Sequence, residues 1–298
     1  MAQDQQLFVM QPQRSIREAY VEASSFLREQ QVMEPESNTR LLLEWVLGLS
    51  GAAYYMALPD PFPVDKRESW ESVVNRKAQG EPAQYIIGEQ EFYGELFHVN
   101  RSVLIPRPET ELLVEAVVKL GHTLPSRADG ERPICVDIGT GSGAIALTIA
   151  RLCPDWEVWA SDISADALQV AQHNSRQQGT EIGWQQGNLL EPFAGKRVNI
   201  VVSNPPYIPD EDIAGLQPEV REHEPLTALA GGPDGLGPYR IMMSQLSLLA
   251  NRPEMVAFEL GQGQAPDVAQ MVREAGYEQI HIIKDLAGIE RHVIGILT

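Results

Sequence analysis

The spacing of apolar residues changes character along the chain. Near the amino terminus they recur at helical intervals. Ser15-Ile-Arg-Glu18 reads as a capping box, and Ile16, Tyr20, Ala23 and Leu27 follow on one helical face. A second helix is expected over Ser37 to Leu47, with Leu41, Leu42 and Val46 inward. "LPDPFPVD", Leu58 to Asp65, breaks the pattern before another, more polar helix. "EFYGELFHVN", Glu91 to Asn100, places aromatic and β-branched residues around Gly94 and predicts a hairpin. Glu109 to Leu120 reads as an amphipathic helix with acids in its first turn. From Ile134 onward, short apolar runs such as "ICVDIG", "EVWASD", "VNIVVSN" and "EMVAFELG" alternate with helical stretches. "IHIIKDL" and "RHVIGILT" close the chain as a strand pair. Continuous apolar strands alternating with helices imply a parallel sheet covered on both faces, in a doubly wound α/β domain. Such a sheet binds ligands beyond the carboxyl ends of its strands. The expected organisation is a helical domain over 1–80, a linker with a β-hairpin over 81–105, and the α/β domain over 106–298.

Composition narrows the partners. The net charge is −18 over 298 residues, with no lysine or arginine cluster. A duplex-binding surface must neutralise phosphates, so a protein or small-molecule substrate is favoured over nucleic acid. The two cysteines, Cys135 and Cys153, lie in apolar context without metal-ligand spacing, which suits a reducing cytoplasm. The opening "MAQDQQLFVMQPQ" lacks the pattern of a secretory leader, and no apolar run is long enough to span a membrane.

Two stretches carry candidate chemistry. In "DIGTGSGA", between the first strand of the alternation and its helix, Gly139 permits a sharp turn. Gly141 and Gly143 remove side chains where a ligand approaches the backbone. Gly139, Gly141 and Ala144 also match a dinucleotide fingerprint. Asp162, at the end of the next strand, can accept hydrogen bonds from both ribose hydroxyls, or can cap the helix that "SDISADAL" begins. This half of the sequence suits NAD and S-adenosylmethionine alike. In "GNLLEPF", Asn188 can meet an adenine edge and Leu189 can pack on the ring.

The second stretch is "VVSNPPYIP", Val201 to Pro209, a strand that stops in an asparagine and two prolines. Proline cannot continue a central ladder and restricts the residue before it, so the turn is stiff and Asn204 is aimed. An amide oxygen together with a nearby backbone carbonyl can hold both hydrogens of a planar amino group. That arrangement directs the nitrogen lone pair toward an incoming methyl and stabilises the positive charge that develops. Tyr207 can close over the planar group.

At "NPPY" the chain resembles the class I S-adenosylmethionine methyltransferases that act on planar amino groups. "EPAQYIIGEQEFYGELFHVNRSVLIPRPETELLVE", "VDIGTGSGAIALTIA" and "PEVREHEPLTALAGGPDGLGPYR" narrow the resemblance to the peptide chain release factor glutamine methyltransferases. It covers roughly residues 80 to 298. The resemblance implies a Rossmann-like sheet, S-adenosyl-L-methionine as cofactor, and release factors 1 and 2 as substrates of a cytoplasmic monomer with no direct nucleic acid, membrane or metal partner. The N-terminal helices would dock the factor. Gly139, Thr140, Gly141, Ser142 and Gly143 would cradle the cofactor, with Asp162 on its ribose, Leu189 by its adenine and Asn204 touching both ligands. Asn204 and the carbonyl of Pro205 would hold the glutamine amide, with Pro206 and Tyr207 against it. Leu189 and Asn188 depart from the aromatic residue and the acid that relatives can carry. Arg107 and Glu111 either order the cofactor-side loop or pair with each other at a helix start. Glu224 and Asp234 are candidate gates. An adenine methyltransferase acting on DNA, a nicotinamide-dependent oxidoreductase and a non-catalytic binding module are the alternatives. The first would need a basic groove, the second leaves "NPPY" idle, and the third would not need Asn204.

Overall fold

The computed structural model describes residues 7–124 and 130–297, so the leader reading of the first residues falls partly outside the described chain. The chain divides into two compact units. One is Met1–Gly88 together with Pro218–His223. The other is Glu89–Gln217 together with Glu224–Thr298.

The first unit contains α1 (Ile16–Glu29), α2 (Pro35–Leu47), α3 (Gly51–Ala57), α4 (Arg67–Ala78) and α5 (Ala83–Ile87). The capping box forms as read: Ser15 Oγ accepts from the Glu18 N–H at 3.2 Å, and Glu18 Oε2 accepts from the Ser15 N–H at 2.8 Å. In α2 the inward residues are Leu42, Leu43 and Val46, whereas Leu41 is exposed. Starting the helix at Pro35 does not explain that difference; the packing against α1 and α4 selects the Leu42–Leu43 side. The polar α4 buries Trp70, Val73, Val74 and Lys77 along one face. Helix α5 gives Ala83 and Ile86 to the same apolar core, which carries the helical unit eight residues beyond 80.

The second unit starts with β1 (Glu89–Phe92) and β2 (Glu95–His98), an antiparallel hairpin turning at Tyr93-Gly94. Both turn residues have positive φ, the geometry whose twist matches two-residue hairpins. There follow α6 (Pro108–Gly121), β3 (Ile134–Ile138), α7 (Ala144–Leu152), β4 (Glu157–Asp162), α8 (Ala165–Gln178), β5 (Gly183–Gln186) and β6 (Ile200–Ser203). After the excursion of α9 (Pro218–His223) into the first unit come α10 (Gly237–Gln245), β7 (Met255–Glu259), α11 (Ala265–Glu274), β8 (Gln279–Lys284) and β9 (Glu290–Ile296).

Strands β3 to β9 form one seven-stranded sheet in the order β5-β4-β3-β6-β7-β9-β8, parallel except for β9. Successive residues of one strand serve opposite layers. Cys135, Ile200, Val202 and Ala257 pack with α6 and α7. Val136, Val201, Val256 and Phe258 pack with α10 and α11. Burial on both faces explains why these strands read as unbroken apolar runs. Both cysteines are buried and unbridged. Among the described residues, no helix is long and apolar enough to cross a membrane.

The sheet fixes the position of the candidate site. Strand β3 pairs with β4 on one side and β6 on the other, so the chain reverses its direction of sheet growth at β3. In register, Ile138 faces Ser161 and Ser203. The residues one step beyond are Gly139, Asp162 and Asn204. At the usual inter-strand spacing, Asp162 and Asn204 flank the glycine turn with roughly 10 Å between them.

Candidate active site

A cavity of about 630 Å³ opens at these three strand ends. That size suits a nucleoside-sized ligand with room for a second group. Of the residues expected there, Gly139, Thr140, Gly141, Ser142, Asp162, Leu189, Asn204 and Pro206 line it. Asn188, Arg107 and Thr110 line it as well. Gly143, Pro205 and Tyr207 do not contribute to that lining. Gly143 instead sits at the cap of α7 with φ +85°, behind the turn.

The glycine turn is built from the backbone. The N–H groups of Gly139 and Thr140 both donate to the Ser161 carbonyl at 2.9 Å, which ties the turn to the end of β4. Gly139 and Gly141 have φ of +71° and +56°, and the space where each would carry a Cβ is open. The absent side chains therefore leave backbone accessible to a ligand. Beneath the turn, fully buried Asp137 accepts from Thr140 Oγ1 at 2.7 Å. Burial pushes the Asp137 carboxyl up to about 7, against the hydrogen bonds from Thr140 and the Ala146 backbone.

Asp162 does two things at once. Its Oδ2 accepts from the Gly141 N–H and its Oδ1 from the Ser164 N–H, each at 2.9 Å. The capping role is held by Ser164, whose hydroxyl accepts from Ala167 N–H. Burial raises the Asp162 pKa, and the backbone donors of Ser164, Gly141 and Ile163 oppose the shift. Each carboxylate oxygen keeps lone pairs for a further donor. The residues present thus fit an adenosine-type cofactor: open glycine backbone, an acid anchored beside it, and apolar Leu189 on the wall. Leu189 holds a left-handed backbone at φ +51°, an uncommon conformation for a branched residue. Asn188 donates to Glu191 at 3.3 Å.

Asn204 is half-buried at the tip of β6. Its Nδ2 donates to Thr110 Oγ1 at 3.2 Å. Thr110 is itself buried in the first turn of α6, within "IPRPETE". With the amide nitrogen engaged, the amide oxygen is the end left for another donor. The proline turn that follows is latched from a different element. Gln264 donates to the Tyr207 carbonyl at 2.9 Å and accepts from the Gly261 N–H at 2.9 Å. The Tyr207 ring lies beside Gly261, and burial pushes its hydroxyl up to about 12. The phenol therefore stays protonated at neutral pH.

Arg107 and Glu111 do not pair with each other. Arg107 pairs with Glu224 at 2.5 Å, and Glu224 also accepts from the Ile105 N–H at 3.3 Å. Glu111 accepts from the Tyr93 N–H at the hairpin turn, at 2.8 Å. Glu224 is buried, whereas Asp234 is an exposed carboxylate bound to Arg240 at 2.5 Å and held down to about 2 by it. The spacing of these partners, 94 residues for Asn204 and Thr110 and 117 for Arg107 and Glu224, gave sequence inspection nothing local to read. The hydroxyl within "RPET" was the one available signal for Thr110.

Two family models match the chain in succession. The PrmC N-terminal domain matches residues 18–88, and the methyltransferase small domain matches residues 110–216. The chain is 40% identical over 288 residues to the release factor glutamine methyltransferase of Bacillus subtilis, covering 95% of this chain and 98% of the relative. The enzyme of the same name from Bacillus cereus is 38% identical over 281 residues, covering 93% and 98%. That from Geobacter sulfurreducens is 37% identical over 281 residues, covering 94% and 96%. In fold, the chain is similar to the N-terminal domain of human METTL16, with a TM-score of 0.51 at 17% identity over 76% of this chain and 82% of that one. A methyltransferase sheet and relatives that match it almost end to end lead to one assignment: the chain belongs to the release factor glutamine methyltransferase family.

Proposed function

We propose that the protein transfers a methyl group from S-adenosyl-L-methionine to the side-chain amide nitrogen of the glutamine in the Gly-Gly-Gln motif of peptide chain release factors 1 and 2. The observation that carries this reading is the position of Asn204. It stands on the cavity that also holds the glycine turn and Asp162, with its amide nitrogen already engaged by Thr110. When bound, the cofactor supplies an electrophilic methyl group.

The chain's own residues have separate tasks. The Gly139–Gly143 turn offers backbone to the methionine end. Asp162 accepts from the ribose hydroxyls, and Leu189 with Asn188 faces the adenine. Asn204 Oδ1 and the Pro205 carbonyl accept the two amide hydrogens of the glutamine. They make no covalent bond and remove no proton before transfer. Their work is to aim the lone pair and to stabilise the charge that grows on nitrogen, in a place where reorganisation costs little. The methylated nitrogen is acidic enough to lose its proton afterwards to solvent. Pro206, on the cavity wall, limits water beside the planar group, and Tyr207, behind that lining, backs the turn and would reach the group only as the substrate enters. The helical unit docks the factor, and the enzyme works as a cytoplasmic monomer.

Methyl transfer from labelled cofactor to unmethylated release factor tests the reading. The controls are the factor with its motif glutamine replaced, and unmethylated duplex DNA. The expected result is label on the factor that disappears with the glutamine. Label on DNA alone would establish the adenine methyltransferase reading, which a net charge of −18 disfavours.

A further inference from the structure

The turn that brings Leu189 to the cavity is built against the preference of its residue. Gly187, Asn188 and Leu189 line the cavity, and all belong to the second unit. The Glu191 N–H donates to the Asn188 carbonyl at 3.1 Å and closes a four-residue turn. Its central residues are Leu189, at φ +51°, and Leu190, at φ −85° and ψ −6°. A positive φ followed by such a residue is the type II′ pattern, in which glycine is the ordinary first central residue. Glycine would form the turn without strain, but it would put no side chain on the wall. A branched residue in that place persists only where its surroundings hold it.

What holds it lies behind the wall. Gln245, the last residue of α10, is buried, and its Oε1 accepts from the N–H of fully buried Leu190 at 2.9 Å. That N–H lies in the peptide plane that follows Leu189, so the bond fixes the direction the Leu189 backbone takes. Rotating Leu189 to an ordinary conformation would turn the plane away and leave a buried N–H unpaired. The other end of the Gln245 amide donates to Glu191 Oε1 at 3.4 Å, and the same oxygen accepts from Asn188 Nδ2 at 3.3 Å. With Nδ2 engaged, Asn188 keeps Oδ1 for a donor. The start of the loop is tied separately, by the Gly187 N–H to the Asp162 carbonyl at 3.1 Å. Neither Gln245 nor Glu191 lines the cavity.

We propose that Gln245 is a positioning residue for base selection: it holds the strained Leu189 turn, directly through Leu190 and through Glu191, so that an apolar side chain and the Asn188 acceptor meet the same planar base. An acceptor on an apolar wall suits a base with an exocyclic amino group and disfavours the same base with a carbonyl there. The identity of the ligand rests on the functional reading; the hold on the turn does not.

Two measurements on the full-length protein test this. In the first, S-adenosylhomocysteine and S-inosylhomocysteine, which carries a carbonyl in place of the amino group, are titrated by calorimetry. Wild type should prefer the adenosyl ligand. Gln245→Met, which keeps the length and removes both hydrogen bonds, should shrink that preference by about tenfold, the worth of one net hydrogen bond. A loss of affinity that is equal for both ligands, or no loss, would overturn the proposal. The second is amide hydrogen exchange without ligand. Gln245→Met should speed exchange at Gly187 and Glu191, whose own acceptors are untouched, by about tenfold, with β3 and β6 unchanged. In a Leu189→Gly background the turn needs no holding, so Gln245→Met should change those two rates much less. Unchanged rates at Gly187 and Glu191, or the same acceleration in both backgrounds, would overturn the proposal. A wild-type protein that binds neither ligand would count against the functional reading, and the exchange rates would still decide whether Gln245 holds the wall.

Discussion

Strands β3 and β6 are neighbours in the sheet, end at the same level and open on the same cavity, yet they end by opposite means. After β3 the chain gives up side chains: Gly139, Gly141 and Gly143 all take positive φ. After β6 it gives up backbone freedom, with two prolines in succession. The first turn exposes peptide groups to a ligand, and the second presents one side chain to a ligand. A glycine turn needs anchoring from outside, which the Ser161 carbonyl and the Asp162 carboxylate provide. A proline turn is stiff in itself, but it still has to be oriented, and Thr110 and Gln264 do that from elements far away in sequence. On the proposed function, cofactor binding falls mainly to the glycine end and aiming of the substrate to the proline end, with Asn204 standing between the two.

The sharpest way to break this division is Asn204→Ala. It should reduce kcat for methyl transfer by about 10²–10³, the loss typical of removing one preorganised polar group from a transition state. The affinity for S-adenosylhomocysteine, measured by calorimetry, should change little. A large loss of that affinity with modest loss of turnover would show that the proline side also binds cofactor and that the two roles are mixed.

A second test lies under the glycine turn. Asp137, pushed up to about 7 by burial, is protonated more readily in the folded state than in the unfolded chain. Its contribution to stability is therefore fully present below the ordinary carboxylate pKa and is lost as pH rises through about 7. Asn mimics the protonated acid and can still accept from Thr140. Asp137→Asn should gain stability over wild type on going from pH 5 to pH 8, on the order of 2 kcal/mol by denaturant unfolding. A constant difference between the two proteins across that range would remove the burial argument.

What the sequence made legible follows the same division. Features that depend on neighbours in the chain could be read: the Ser15–Glu18 box, the hairpin around Gly94, the glycine turn, and the strand that stops at Asn204. Their causes are local, lying in backbone freedom, missing donors and period. The partners that hold these features in place could not be read. Thr110 and Gln264 are joined to their targets only by the fold. Arg107 and Glu111 illustrate the limit. Four residues apart on a helix start they suit each other by charge and spacing, yet each has a partner elsewhere: Glu111 the hairpin N–H of Tyr93, and Arg107 the buried Glu224 carboxylate. The inward face of α2 failed for a related reason: Leu41, Leu42 and Leu43 are consecutive, and periodicity cannot choose among three leucines.

Within the glycine turn, position matters more than residue type. At Gly143 a Cβ would stand 3.2 Å from both Ala171 Cβ and Leu147 Cδ1, on a backbone at φ +85°. Gly143→Ala should therefore cost about 1–2 kcal/mol of stability, seen as a lower Tm, while cofactor affinity in the folded fraction is kept. Gly141→Ala, where the space is open to the cavity, should show the reverse weighting. Equal losses of stability and affinity at both positions would mean that the turn acts as one unit.

The smallest effect comes from putting alanine on the other strand end, where it does the opposite chemically. Alanine restricts a glycine turn but frees a proline one. Pro205→Ala keeps the carbonyl proposed to accept from the substrate amide and lifts the restriction that proline imposes on Asn204. The Thr110 hydrogen bond and the Gln264 latch on Tyr207 remain to hold the turn. If those two contacts carried all of the orientation, the substitution would leave kcat unchanged and cost only the few tenths to 1 kcal/mol expected from a freer unfolded chain. If the prolines contribute aim of their own, kcat should fall about three- to tenfold at unchanged cofactor affinity. The second outcome is expected, because one 3.2 Å hydrogen bond from a half-buried amide is a weaker restraint than a ring closed on the adjoining backbone.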